Sequence, residues 1–358
     1  MNILYVVSRA ITAGGVMSIV SKKINYLCEK GAQITLLSMT KCDKPFYDLH
    51  KDVKLICCGT KPDFTVSLSE IIQAIRIIRS GKYDIIISAD ALYITWLLPF
   101  IAKTTTILEI HQSFDGLVDF YKGGRYPYLN VKFHRLLQSV VFPKYSHVVL
   151  LTEEDKKKWN LPNSCVIPNF HNEEIVIKNN HNELNKTIVC VGRFNFQKGV
   201  DLLIKIWKKV SNRCPGWKLY YYGIEPNEKV LSEMRNLGAP DSFILKGYEK
   251  NLSNIFSHAY LNIVPSRCES FSLTTIEAMC YGTPTVSFAT TGPKAIISEG
   301  VNGVLVNCYD IEEAAKKIEE LISDPLLREK LSKNCIKAAH HYTKEAIMKK
   351  WMKLFKDK

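Results

Sequence analysis

Short β-branched runs alternate with amphipathic stretches from one end of the chain to the other, a pattern that predicts βα units building parallel sheets. Residues 3–7 read as a first strand. Behind the glycine pair Gly14-Gly15, the apolar positions Val16, Ile19, Val20, Ile24 and Leu27 recur at helical spacing and stop at Gly31. The same reading gives strands at 34–38, 85–88, 104–110 and 148–151, and a helix at 69–79. A short helix after Thr152 carries a capping-box signature, Thr152 with Asp155. The apolar stretch 91–102 falls short of the ~20 residues a membrane helix needs and contains Pro99, so it reads as a buried helix.

Residues 168–186 are rich in Asn and His and lack an apolar period, so the domain junction belongs there. A second βα series follows. It has strands at 187–191, 219–222, 243–245, 261–264 and 285–288, helices from Val200, Asn251 and Ser272, and a helical tail after 303–306. The expected fold class is α/β, with two doubly wound, Rossmann-like domains at 1–168 and 169–342 and a ligand cleft at the carboxyl ends of both strand sets. Residues 343–358, with Ile347, Trp351 and Leu354 at helical spacing, form a last helix expected to pack back on the first domain.

A chain of 358 residues, 46% hydrophobic and 23% charged, has the composition of a globular protein and the length of two domains. Its eleven cysteines form no Cys-x-x-Cys pair, and Cys190 and Cys280 lie in apolar segments, the usage of reduced thiols in a cytosol. The N-terminus is apolar but reaches Arg9 too soon for a secretory segment. The net charge of +13 is spread over both halves and favours anionic partners. Nucleic acid is not among those expected, because no recognised binding module accompanies the charge.

Two segments concentrate the candidate chemistry. Residues 267–282 follow the strand 261–264. A helix beginning near Ser272 would offer free N–H groups to an anion, with Glu269 ahead of it and Glu277 one to two turns inside it. A carboxylate accepts two hydroxyl hydrogen bonds at once, which suits a sugar diol. Taken singly, either glutamate reads rather as an ordinary dipole or surface residue. The second segment, 191–199, sets Arg193 and Lys198 in a glycine-flanked loop, which fits either a diphosphate site or two solvated cations. There is no Asp-x-Asp for a metal diphosphate and no Gly-x-Gly-x-x-Gly for a dinucleotide, which counts against a nicotinamide oxidoreductase.

Together Gly192-Arg193, Lys198-Gly199, Glu269 and Glu277 with seven residues between them, Ala278-Met279, Gly282 and Gly300-Val-Asn-Gly303 resemble the retaining glycosyltransferases of family four, which have the GT-B fold. The first domain resembles them through Gly14-Gly15 and His111. The resemblance implies that Arg193 and Lys198 bind the donor diphosphate and that the backbone amides of Phe271, Ser272 and Leu273 meet the same phosphates. It implies that Glu277 binds the ribose and Glu269 the transferred sugar. Gly15 would approach the phosphates and acceptor, and His111 the donor sugar near the reacting carbon. No metal and no cofactor are implied, only a nucleotide-diphosphate sugar, with UDP favoured, and a glycan or lipid-linked acceptor in surface polysaccharide or lipopolysaccharide assembly. Two departures stand out: Ala295, where a glutamate is common, and Gly223-Ile-Glu-Pro226, which lacks the usual second glycine.

Between Phe120 and Thr152 no acidic residue occurs, while Lys122, Arg125, Lys132, Arg135 and Lys144 alternate with Tyr121, Tyr126, Tyr128, Phe133 and Phe142. Such a surface suits an anionic leaflet, and hence a cytoplasmic enzyme resting on the inner face of the membrane. It reads equally as a helix with a solvated basic side and Leu136, Leu137 and Val141 in the core. The competing functional reading is a catalytically silent GT-B-like protein that binds membranes.

Overall fold

The computed structural model describes residues 1–11, 14–61, 66–89, 92–116, 127–176 and 186–356. Contacts divide the chain into two units, Met1–Asn169 with Ile347–Lys358, and Phe170–Ala346.

The first unit is built on a seven-stranded parallel sheet of order β3-β2-β1-β4-β5-β6-β7. Its strands are β1 (Asn2–Val7), β2 (Gln33–Ser38), β3 (Lys54–Cys57), β4 (Ile85–Ala89), β5 (Thr105–Glu109), β6 (His147–Leu150) and β7 (Ser164–Val166). In register, Tyr5 pairs with Ile87 and Ile87 with Ile107, so the central strands are buried on both faces and read as continuous apolar runs. Strands β3 and β7 escape sequence reading because they are only four and three residues long and half-buried. Helix Leu68–Ser80 starts at a full capping box, in which Glu70 N bonds Ser67 Oγ and the Glu70 carboxylate accepts from Ser67 N.

At Thr152 the hydroxyl caps Asp155 N as expected, but the Asp155 carboxylate turns to Phe114 N at 2.8 Å and ties that helix to the loop after β5. The helix Lys344–Lys356 buries Ile347, Met348, Trp351 and Phe355. Phe355 thus takes the buried position that the spacing assigned to Leu354, which is half-buried.

The second unit carries a six-stranded parallel sheet, β10-β9-β8-β11-β12-β13. The strands are β8 (Thr187–Val191), β9 (Lys218–Tyr222), β10 (Phe243–Leu245), β11 (Leu261–Val264), β12 (Thr285–Phe288) and β13 (Gly303–Val306). Its core gathers Trp207, Leu203 and Ile206 of the helix Val200–Arg213 against Leu219, Tyr221 and Ile263 of the sheet. Helices Glu228–Leu237 and Thr291–Ile296 were not read from sequence, the first because its charged face interrupts the apolar period. All eleven cysteines are free, with Cys190 and Cys280 buried. Among the described residues, no helix is long and apolar enough to cross a membrane.

Candidate active site

In each sheet the strand order reverses once, between β1 and β4 and between β8 and β11. Loops leaving the carboxyl ends of strands at such a reversal diverge and leave room for a ligand. In the second unit those two loops are 192–199 and 265–272, the same two segments that carry the candidate chemistry.

The loops are locked together. Lys198 Nζ lies 2.8 Å from Glu269 Oε2, both side chains mostly buried. Gln197 Nε2 donates to Cys268 O at 3.2 Å, Arg267 N donates to Gln197 O at 2.9 Å, and the exposed Arg193 reaches Gln197 Oε1 at 3.4 Å. Arg267 makes a bidentate pair with Asp201, both bonds 2.7 Å, and its guanidinium lies 3.7 Å from the centroid of the Phe196 ring. Gly199 makes this approach possible: its φ is +68°, and a Cβ there would stand 2.1 Å from Pro265 O. Gly223 plays the same part on the other side, with φ +114° and a Cβ position 2.3 Å from Gly192 O. The first glycine of the Gly223-Ile-Glu-Pro226 turn is therefore required, and Glu225 braces the turn by accepting from Tyr248 N at 2.9 Å.

Helix Leu273–Cys280 follows Ser272, whose φ of +69° is strained for a residue with a Cβ. The Ser272 hydroxyl is 2.7 Å from Thr275 Oγ1. Phe271 is buried against Tyr342, and Gly292 admits its backbone, since a Cβ there would lie 2.5 Å from Phe271 N. Thr275 N donates back to Ser272 O at 3.2 Å, and the N–H groups of Leu273 and Thr274 ahead of it make the kind of helix start that favours an anion. Glu277 sits half-buried in the next turn. Cys190 lies beneath the site on β8, and burial pushes its thiol up to about 12, which excludes it as a nucleophile near neutral pH.

Gly15 and His111 belong to the first unit. Gly15 opens the helix Gly15–Glu29 and is exposed. Neither Gly14 nor Gly15 has positive φ, and a Cβ on Gly14 would meet nothing, so the turn itself does not require glycine. His111 follows β5, and its Nε2 is 3.1 Å from Glu109 Oε2, which also receives the Lys23 ammonium. Burial alone would raise the Glu109 carboxyl, but Lys23 and His111 outweigh it and hold it below the ordinary range. Burial, and then the Glu109 charge, pushes the Tyr5 hydroxyl up.

Sequence reading missed Lys23, Glu109, Gln197 and Asp201. A carboxylate closing an apolar strand two residues before a histidine was the available signal for Glu109. Of the basic aromatic segment, residues 120–126 lie outside those described. On the helix Pro127–Val141, Val141 is buried, but Leu136 is 63% exposed rather than in the core.

Residues 171–339 match the family model for glycosyl transferases group 1. The match lies within the second unit. Along 98% of its length it is 25% identical to the amylovoran biosynthesis glycosyltransferase AmsD of Erwinia amylovora, covering 98% of that protein. Among solved structures, sucrose-phosphate synthase from Thermosynechococcus elongatus superposes with a TM-score of 0.83 at 18% identity, covering 100% of this chain and 98% of the other. Anabaena HepE, solved in complex with UDP and glucose, gives 0.78 at 16% identity with 100% of both chains covered. The fold is GT-B, with two Rossmann-like parallel-sheet units, and the protein is a transferase enzyme.

Proposed function

We propose that the transferase is a retaining, metal-independent family-four enzyme that moves a hexose from a nucleotide-diphosphate sugar, UDP-linked, to a glycan or lipid-linked acceptor in surface polysaccharide or lipopolysaccharide biosynthesis. The observation that carries this reading is the Lys198–Glu269 pair across the two loops at the β8/β11 reversal. It sets a cation for the diphosphate beside a carboxylate for the sugar hydroxyls. The polysaccharide role of AmsD and the UDP and glucose held by HepE support the substrate class.

In this mechanism Arg193, Lys198 and the amides of Phe271, Ser272 and Leu273 stabilise charge as it builds on the departing diphosphate. Glu277 holds the ribose, Glu269 the sugar, and His111 and Gly15 serve the donor from the first unit's loops. The leaving phosphate helps deprotonate the acceptor on the same face of the sugar. Lys198 has three N–H donors, so it can hold Glu269 and a phosphate oxygen together.

Peripheral attachment to an anionic membrane is the companion proposal. Phe133, Leu136 and Val140 are exposed at helical spacing beside the exposed Lys132. Tyr93 and Phe100 are exposed on the helix Leu92–Ile101, whose Trp96 packs edge-on against His134.

The test is turnover of UDP-hexoses in EDTA with lipid-linked acceptors, followed by NMR of the product's anomeric centre. An α-linked product from an α-linked donor is expected. An inverted product overturns retention, and turnover that needs added divalent metal overturns metal independence.

A further inference from the structure

Glu109 closes β5, and its side chain is 3% exposed. Its Oε2 receives both the Lys23 ammonium from the helix Gly15–Glu29 and His111 Nε2. Its Oε1 has no hydrogen-bond partner among the described residues. The Lys23 ammonium is buried as completely as the carboxylate, and the Trp351 ring covers it, with its centroid 4.5 Å from Nζ. A buried charge pair of this kind is costly to assemble and is weak evidence for stability alone.

The chemistry of the three groups fixes one proton. An ionised carboxylate only accepts, and an ammonium only donates. The bond between Glu109 and His111 is therefore donated by the imidazole, and Nε2 carries the hydrogen. In the neutral ring the lone pair is then on Nδ1.

We propose that Lys23 and Glu109 form a buried positioning pair that fixes the His111 tautomer with its hydrogen on Nε2 and leaves Nδ1 as the nitrogen that accepts from a sugar hydroxyl. The role for Nδ1 rests on the reading of His111 as a donor contact. The hold on the tautomer does not.

The experiment uses the full chain with 15N-labelled histidine and two-bond 15N–1H correlation at a pH where the ring is neutral. The His111 signals are identified by their loss in His111→Gln. The expected wild-type pattern is an N–H-like shift at Nε2 and a lone-pair shift at Nδ1. The double variant Lys23→Met with Glu109→Leu buries no unpaired charge and should keep its fold by circular dichroism. In it His111 should show averaged tautomers, and kcat/KM should fall at least tenfold. A wild-type His111 protonated on Nδ1 or averaged overturns the proposal, as does an Nε2–H pattern that persists in the double variant. A released tautomer with unchanged kcat/KM keeps the hold of the pair and overturns instead the donor-contact reading of His111.

Discussion

Lys198 and Glu269, 71 positions apart in sequence, meet at 2.8 Å and join the loop after β8 to the loop after β11. The first loop holds a 3₁₀ turn, Phe196–Lys198, whose Lys198 N donates to Asn195 Oδ1 at 3.0 Å, and the second is irregular. Each is fixed by a neighbour: Gln197 on Cys268 O, Arg267 on Asp201, and Gly199 under Pro265. The site is thus held by backbone approach and charge-assisted bonds rather than by apolar packing.

Removing the Lys198 cation should lower turnover without unfolding the protein. A preorganised donor facing a developing anion contributes about 10²–10³ in kcat. Lys198→Ala and Arg193→Ala are each expected to lose that much; the exposed Arg193 can go with the melting temperature close to wild type, whereas Lys198→Ala leaves the mostly buried Glu269 carboxylate without its cation and should melt lower while staying folded. Steady-state kinetics with a saturating UDP-sugar checks it, and full activity in both variants would remove these residues from the site.

Arg267 is expected to matter through geometry rather than charge. Its two bonds to Asp201 and its place over Phe196 use the planar fork of a guanidinium, which lysine cannot reproduce. Arg267→Lys should cost about 1.5–3 kcal/mol of stability and raise the KM for the donor. Denaturant unfolding that matches wild type would contradict this.

Much of this architecture was legible in the sequence. The central strands carry long β-branched runs, and the loop residues Arg193, Lys198, Glu269 and Ser272 follow strand ends that periodicity locates within a residue or two. What stayed hidden depends on pairs far apart in the chain. No local pattern says that Lys23 meets Glu109, 86 positions away, or that Asp201 meets Arg267. Edge strands such as β3 and β7 are too short to show a period. At Thr152 the hydroxyl arm of the capping box forms, while the Asp155 carboxylate accepts a tertiary bond from Phe114 N, a partner no local pattern reveals.

Acid should weaken the start of the helix Leu68–Ser80. Hydrogen bonds from the backbone N–H groups of Ser67 and Thr60 hold the Glu70 carboxyl down at about 2. A carboxyl depressed in the folded state contributes stability that is complete above its unfolded value and is lost as pH falls through the folded one. Glu70→Gln should therefore unfold at lower urea than wild type at pH 7, and the gap should narrow from the ordinary carboxylate range down toward pH 2. A gap that stays constant with pH would show that the charge is not involved.

The C-terminal helix should stabilise the first unit. Trp351 is 2% exposed, packs near Phe355 and covers the Lys23 ammonium. Trp351→Ala is expected to cost about 3–5 kcal/mol, and deletion of residues 343–358 should lower the melting temperature as well. An unchanged melting temperature in both would contradict the packing of this helix.

The central claim, a nucleoside diphosphate held by the two loops of the second unit, is tested most directly by thermal shift in EDTA with UDP, GDP, ADP and NAD⁺. A ligand at about 100 times its Kd adds roughly 2.7 kcal/mol to the folded state. The account predicts a clear shift with UDP that disappears in Lys198→Ala. A shift with NAD⁺ alone, or a UDP shift that survives in Lys198→Ala, would contradict it.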